Sequence, residues 1–162
     1  MTAARHRAAA AAALALGLTG ALTACGGGEG GGDSGGGSGD RPELSVSGAY
    51  IPRPAMADMA AGFLTVRNKG GGADKLTSIT TPLARDVTLH TTKGTQMKQV
   101  SSLDVPAGGR LRLSSGGDHL MLTKLAHKPK VGEKVEFTLH FATSDPITIK
   151  VPVEPMTYRP KD

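Results

Sequence analysis

The stretch Glu133–Phe141, EKVEFTLHF, decides the fold class. Val135, Phe137, Leu139 and Phe141 occupy every second position, with Glu136, Thr138 and His140 between them. A period of two is that of a strand with one face in a core and the other in water. Working outward, the same reading predicts strands over Ile147–Val153 on one side and His119–Leu125, Arg110–Ser114, Gln96–Val100, Arg85–His90, Lys75–Thr80, Ala61–Asn68 and Leu44–Tyr50 on the other. Turn signals separate them, as at Asn68–Gly72, Pro106–Gly109 and Gly116–Gly117. No sustained 3.6-residue periodicity follows residue 22. Short strands at this spacing predict an all-β fold, a Greek-key β-barrel or sandwich. With three Phe, two Tyr and no Trp, the core must come mainly from Leu, Val, Ile and Ala.

The N-terminus reads differently. Arg5, His6 and Arg7 precede an apolar run, Ala8 to Leu22, and then small residues. That is the order of a secretory signal, residues 1–24, too short for a membrane span. The run ends Leu22-Thr23-Ala24-Cys25, which resembles the lipobox of bacterial lipoproteins, in which the cysteine is acylated and becomes the mature N-terminus. Cys25 is the only cysteine, so no internal disulfide is available. Gly26–Asp40 holds ten glycines in fifteen residues. Such a segment cannot bury enough apolar area to offset its ordering entropy. It predicts a tether over residues 25–40 with a reach of roughly 20 Å. One domain, residues 41–162, is left to fold, and a monomer is expected.

The formal charge is +5, and loss of Arg5 and Arg7 with the leader lowers it to +3. Lys124, Lys128 and Lys130, beside His127, form the densest basic group and read as a solvated face. Scattered charge and scarce aromatics give nucleic acid nothing to stack on. There is no Ser/His/Asp set, no phosphate-binding loop and no carboxylate pair with a role, so no enzyme is predicted.

Four residues carry the chemistry. Val87 and Leu89 alternate with Thr88 and His90, so His90 points away from the core. With Lys93-Gly94 as a two-residue turn, Thr92 faces Thr95 and His90 faces Met97 across the hairpin. Directly opposed side chains share a face, with Cβ atoms about 4.5–5.5 Å apart. His119 and Met121 are two apart and share the outward face of another strand, Leu120 and Leu122 taking the inner one. Imidazole and thioether together make a soft site, which selects copper(I) over calcium or magnesium. Thioethers also avoid the disulfide chemistry of oxidising compartments. Met56 and Met59 stand as auxiliary candidates that lie near this site or guide copper to it. His127 and His140 read as surface residues, Asp74 as a turn residue and Met156 as incidental.

Met97, twenty-one residues, then His119-Leu120-Met121 resembles the second half of the signature of PCu(A)C-type periplasmic copper chaperones. His90, after Asp86-Val87-Thr88-Leu89, sits where that family has its first histidine. Val46–Tyr50, Ala61–Asn68, Ala73–Leu76 and Val105–Gly109 agree as well, so the similarity spans Leu44 to Val153. The resemblance implies a cupredoxin-like barrel, one shallow copper(I) site on His90, Met97, His119 and Met121, and no enzymatic activity. It implies delivery toward the Cu(A) centre of cytochrome c oxidase, directly or through a Sco-type partner. The chain departs from the family's commonest pattern around His90: only six residues separate it from Met97, so the hairpin is short, and Thr91 replaces the usual following residue. Copper buffering, a metal-free tethered interaction domain and a copper oxidase are the other readings.

Overall fold

The computed structural model describes residues 40–160. The readings of the leader, of Cys25 and of most of the glycine-rich segment lie outside these residues. Within them there are ten strands and no helix: β1 (Leu44–Pro52), β2 (Met59–Asn68), β3 (Asp74–Thr80), β4 (Ala84–Lys93), β5 (Gln96–Val100), β6 (Leu103–Val105), β7 (Arg110–Leu113), β8 (His119–Leu125), β9 (Lys134–Phe141) and β10 (Ile147–Glu154). The hydrogen-bonded order is β5-β4-β8-β2-β1-β10-β9-β3-β6, with β7 also on β2. Pairing is antiparallel except where β1 meets β10 at Ile51–Val153 and Pro52–Glu154. The all-β expectation holds.

Alternation builds the core. Val135, Phe137 and Leu139 on β9, Leu120 and Leu122 on β8, and Leu64 and Val66 on β2 all enter one core. Each such side chain contributes roughly 1.5–3 kcal/mol by leaving water. As the composition required, Phe137 is the only aromatic among the fully buried large side chains. β6, only three residues long, escaped the sequence reading because so short a segment has no period to detect.

Strand β2 is the organiser. Its first half, Met59–Gly62, pairs with β8, and its second half, Leu64–Arg67, pairs with β7. Gly62 sits opposite Leu120, where an added Cβ would come within 3.3–3.4 Å of the leucine side chain. That close approach seats Leu120 in the core, and by alternation it turns His119 and Met121 outward. At the other end of β2 Asn68 is buried rather than free in a turn. Its Oδ1 accepts from the backbone N–H groups of Glu43 and Gly70, and its Nδ2 donates to the Gly72 carbonyl.

Candidate metal site

The outward face of β5-β4-β8 carries the predicted residues. His90 on β4 lies directly across from His119 on β8, and Thr88 lies across from Met121. The two imidazoles stack with centroids 5.5 Å apart and planes inclined by 23°. Sequence spacing alone did not show that these two segments are neighbours.

The predicted hairpin register is corrected. Lys93 pairs with Gln96, Thr92 with Met97 and His90 with Gln99, so the two-residue turn is Gly94-Thr95. Gly94 has φ +61°. A turn on Lys93-Gly94 would put the left-handed conformation of the first turn position on lysine, which its Cβ disfavours, so glycine takes it. The slip moves the register by an even step, so Met97 stays on the face of His90. It now sits diagonally from His90, within reach for a long side chain.

Met97 crosses toward β8. Its Sδ lies 3.0 Å from His119 Nε2. His119 Nδ1 lies 2.9 Å from the Gly117 carbonyl, which only accepts, so Nδ1 carries the proton and donates. In neutral imidazole Nε2 is then bare, and it faces a thioether that has no proton to give. Two lone pairs meet with nothing from the chain between them. The loop before β8 fixes this tautomer: Ser114 N–H donates to Asp118 O and Gly117 N–H to Ser114 O.

His90 is held from the other side. Its Nε2 lies 2.9 Å from Thr88 Oγ1, and that hydroxyl lies 3.5 Å from the Met121 carbonyl. Its Nδ1 is buried without a hydrogen-bond partner. The arrangement that uses every proton has Nε2–H donating to Thr88 and the threonine donating to Met121 O. Nδ1 is then a bare acceptor. Burial, and next the neighbouring His119, push the His90 pKa below its ordinary value, in favour of the neutral ring.

Met121 stands on the same face one cross-strand row from the histidines, half-buried, opposite Ala61 and Thr88. His119 is the meeting point of the face, stacked on His90 and 3.0 Å from Met97 Sδ. Met97 is 54% exposed on the open edge strand β5, so the site is shallow. Met59, the first residue of β2, lies across from Thr123 on this face, diagonal to Met121. Met56 is in the exposed loop before it.

The donor set is soft throughout. Among the described residues no three His, Cys, Asp or Glu side chains gather. Asp86, which lies across from Thr123 further along, is paired with Lys124 at 2.7 Å. A hard cation therefore finds no carboxylate cage, while two imidazole nitrogens and a thioether suit copper(I). Thr88 and the Gly117 carbonyl were missed as site residues. The available signal was that Thr88, two before His90, shares its face.

His127 is exposed and bonded to Glu133 Oε1, and His140 bonds to Thr80 Oγ1, as surface residues do. Asp74 is not a turn residue. It opens β3 as a buried carboxylate. Its Oδ1 accepts from Lys75 and Thr143 N–H, its Oδ2 from Ser144 N–H and Oγ–H.

A family model described as "Putative lipoprotein LpqE-like" matches residues 44–153. A protein of Leifsonia xyli subsp. xyli named "Putative lipoprotein Lxx21020" is 32% identical over 116 residues, 68% of this chain and 69% of that protein. The solution structure of CuI-DR1885 from Deinococcus radiodurans is 31% identical, with a TM-score of 0.59 over 70% of this chain and 78% of that one. The copper-bound PCuAC domain from PmoF2 is 22% identical, with a TM-score of 0.62 over 69% and 92%. The resemblance to PCu(A)C-type domains is thereby borne out, as is the cupredoxin-like fold.

Proposed function

Because this chain belongs to the LpqE-like lipoprotein family, we propose that it is an extracytoplasmic copper(I) carrier, held to the membrane through acylated Cys25. One copper(I) ion binds His119 Nε2, His90 Nδ1 and the sulfurs of Met97 and Met121. The observation that carries this reading is the 3.0 Å approach of a bare imidazole nitrogen to a thioether. The orphaned His90 Nδ1 supports it, as does the copper(I)-loaded state named for a structure 31% identical to this chain. Met121 joins by swinging its unbranched side chain across one row.

The arrangement suits transfer rather than storage. Exposed Met97 is the ligand an acceptor displaces first, so a new bond to copper forms before the last old one breaks. Met59, with Met56 beyond it, gives the ion a soft foothold on its way to the tight site. Loading and release involve no turnover, so the chain is not an enzyme. The acceptor is the Cu(A) subunit of cytochrome c oxidase or a Sco-type copper protein.

Anaerobic copper(I) titration tests the binding. One equivalent binds the native chain, and His119→Ala/Met121→Ala loses that affinity; no binding, or an unaffected variant, refutes the proposal. Transfer to apo Cu(A) domain or apo Sco protein should outrun spontaneous copper dissociation. Equal rates would make the chain a copper buffer instead.

A further inference from the structure

Met56, Met97 and Met156 are exposed to nearly the same degree, 58%, 54% and 59%, while Met59 and Met121 are half-buried. No cysteine lies among the described residues, so thioethers are the softest and most oxidisable groups they present. Exposure ranks the first three almost equally. Their surroundings do not. Met56 stands in the loop before β2 and Met156 follows the end of β10. Met97 stands on β5, which ends the sheet with β4 as its hydrogen-bonded neighbour, and its Sδ lies 3.0 Å from His119 Nε2. The hydrogen bond from His119 Nδ1 to the Gly117 carbonyl leaves that Nε2 with a bare lone pair facing the sulfur.

A thioether beside a bare nitrogen is set up for oxygen transfer. When a peroxide meets the sulfur, the sulfur lone pair attacks one peroxide oxygen. The S–O bond forms as the O–O bond breaks, and the departing hydroxide collects the proton of the transferred oxygen. With hydrogen peroxide the products are the sulfoxide and water. Sulfur gives up two electrons and gains positive charge in the transition state. The bare Nε2 is the negative end of the imidazole dipole, held at that sulfur by the Gly117 carbonyl. A dipole fixed in advance where charge develops lowers the barrier. Met56 and Met156, equally open to the oxidant, define the rate that exposure by itself gives.

We propose that Met97 is a modification site, oxidised to its sulfoxide by peroxides with His119 Nε2 assisting, and that this modification switches the copper(I) site off. The sulfoxide replaces a flexible soft donor by a polar, harder group, which copper(I) does not select. Methionine sulfoxide reductases reverse the change, so the site is regulated rather than destroyed. The reaction itself needs no copper; its consequence rests on the copper(I) reading of the same face.

The test uses the full chain, metal-free and carrying Cys25→Ser so that no thiol competes for oxidant or copper. It is treated with dilute hydrogen peroxide, and its methionine peptides are followed by mass. Met97 should be oxidised on the order of tenfold faster than Met56 and Met156, short of the roughly hundredfold that one preorganised group contributes in an enclosed active site. His119→Phe keeps a planar ring beside Met97 but removes the lone pair, and Met97 should then react at the rate of Met56. His119→Ala should do the same although it opens Met97 further to solvent. Equal rates at the three methionines, or a Met97 that stays fast in both variants, would overturn the proposal. Anaerobic copper(I) titration then reads the consequence. The product oxidised at Met97 should lose more affinity than the roughly tenfold of an outer-shell change and regain it on enzymatic reduction. Unchanged affinity would overturn the switch. An unoxidised chain that binds no copper(I) would overturn the copper reading and the switch with it, while the order of oxidation still decides the modification.

Discussion

Asp74 and His90 both hold polar side-chain atoms out of water, and the chain treats them in opposite ways. Around Asp74 each carboxylate oxygen is met by two donors, which tie the start of β3 to Thr143 and Ser144. Around His90 one nitrogen is satisfied by Thr88 and the other by nothing. Leaving a buried acceptor unmet costs about 1–3 kcal/mol. The saturated cluster serves the fold, and on the proposed reading the unsaturated one keeps its lone pairs for copper(I).

If that contrast is sound, copper affinity and stability separate cleanly. The largest effect belongs to His119→Ala/Met121→Ala: copper(I) affinity should fall by more than the tenfold to hundredfold typical of outer-shell changes. Its urea midpoint should barely move, as for other changes on a solvent face. A large stability loss would mean that the face is structural after all.

Asp74→Asn should do the reverse. Urea unfolding should show a loss of about 2–3 kcal/mol, because buried hydrogen bonds to a charged acceptor weaken, while copper titration stays unchanged. The pH dependence has a definite sign. Burial alone would raise the Asp74 pKa, but its hydrogen bonds to Ser144, Lys75 and Thr143 outweigh burial and hold it below the ordinary aspartate range. The folded pKa is depressed, so this stability is present above the unfolded value and is lost as pH falls through the lower folded one. Asp74→Asn should therefore flatten the acid limb of the stability curve.

Thr88→Val removes the partner that orients His90 and should weaken copper(I) about tenfold, at the low end for such a support. Loss of stability without loss of copper would make Thr88 part of the fold only. The smallest effect is Gly94→Ala, which strains the left-handed turn residue by about 1 kcal/mol. Its stability cost should appear in thermal unfolding, with copper affinity changed severalfold at most because Met97 already reaches its partner diagonally.

Much of this was legible in the sequence. Alternation gave nine of the ten strands, because a half-buried strand writes its face into every second residue. It also put His90, His119 and Met121 outward, since Leu89, Leu120 and Leu122 had to go in. Spacing did not reveal that β4 and β8 are neighbours, since strand order is a long-range property. The hairpin register was misread because Lys93-Gly94 offered two placements of one glycine, and only the φ of Gly94 decides between them. Asp74 looked like a turn residue because its partners, Thr143 and Ser144, lie about seventy positions away along the chain.

The most direct test of the copper(I) site is anaerobic NMR of the methionine methyl and imidazole signals during copper(I) addition. Met97 and Met121 should shift together with His90 and His119 and saturate at one equivalent, while Met56 and Met156 stay where they were. Methyl signals of Met97 and Met121 that do not move, or that move at different stoichiometries, would contradict a single site built from the two strand pairs.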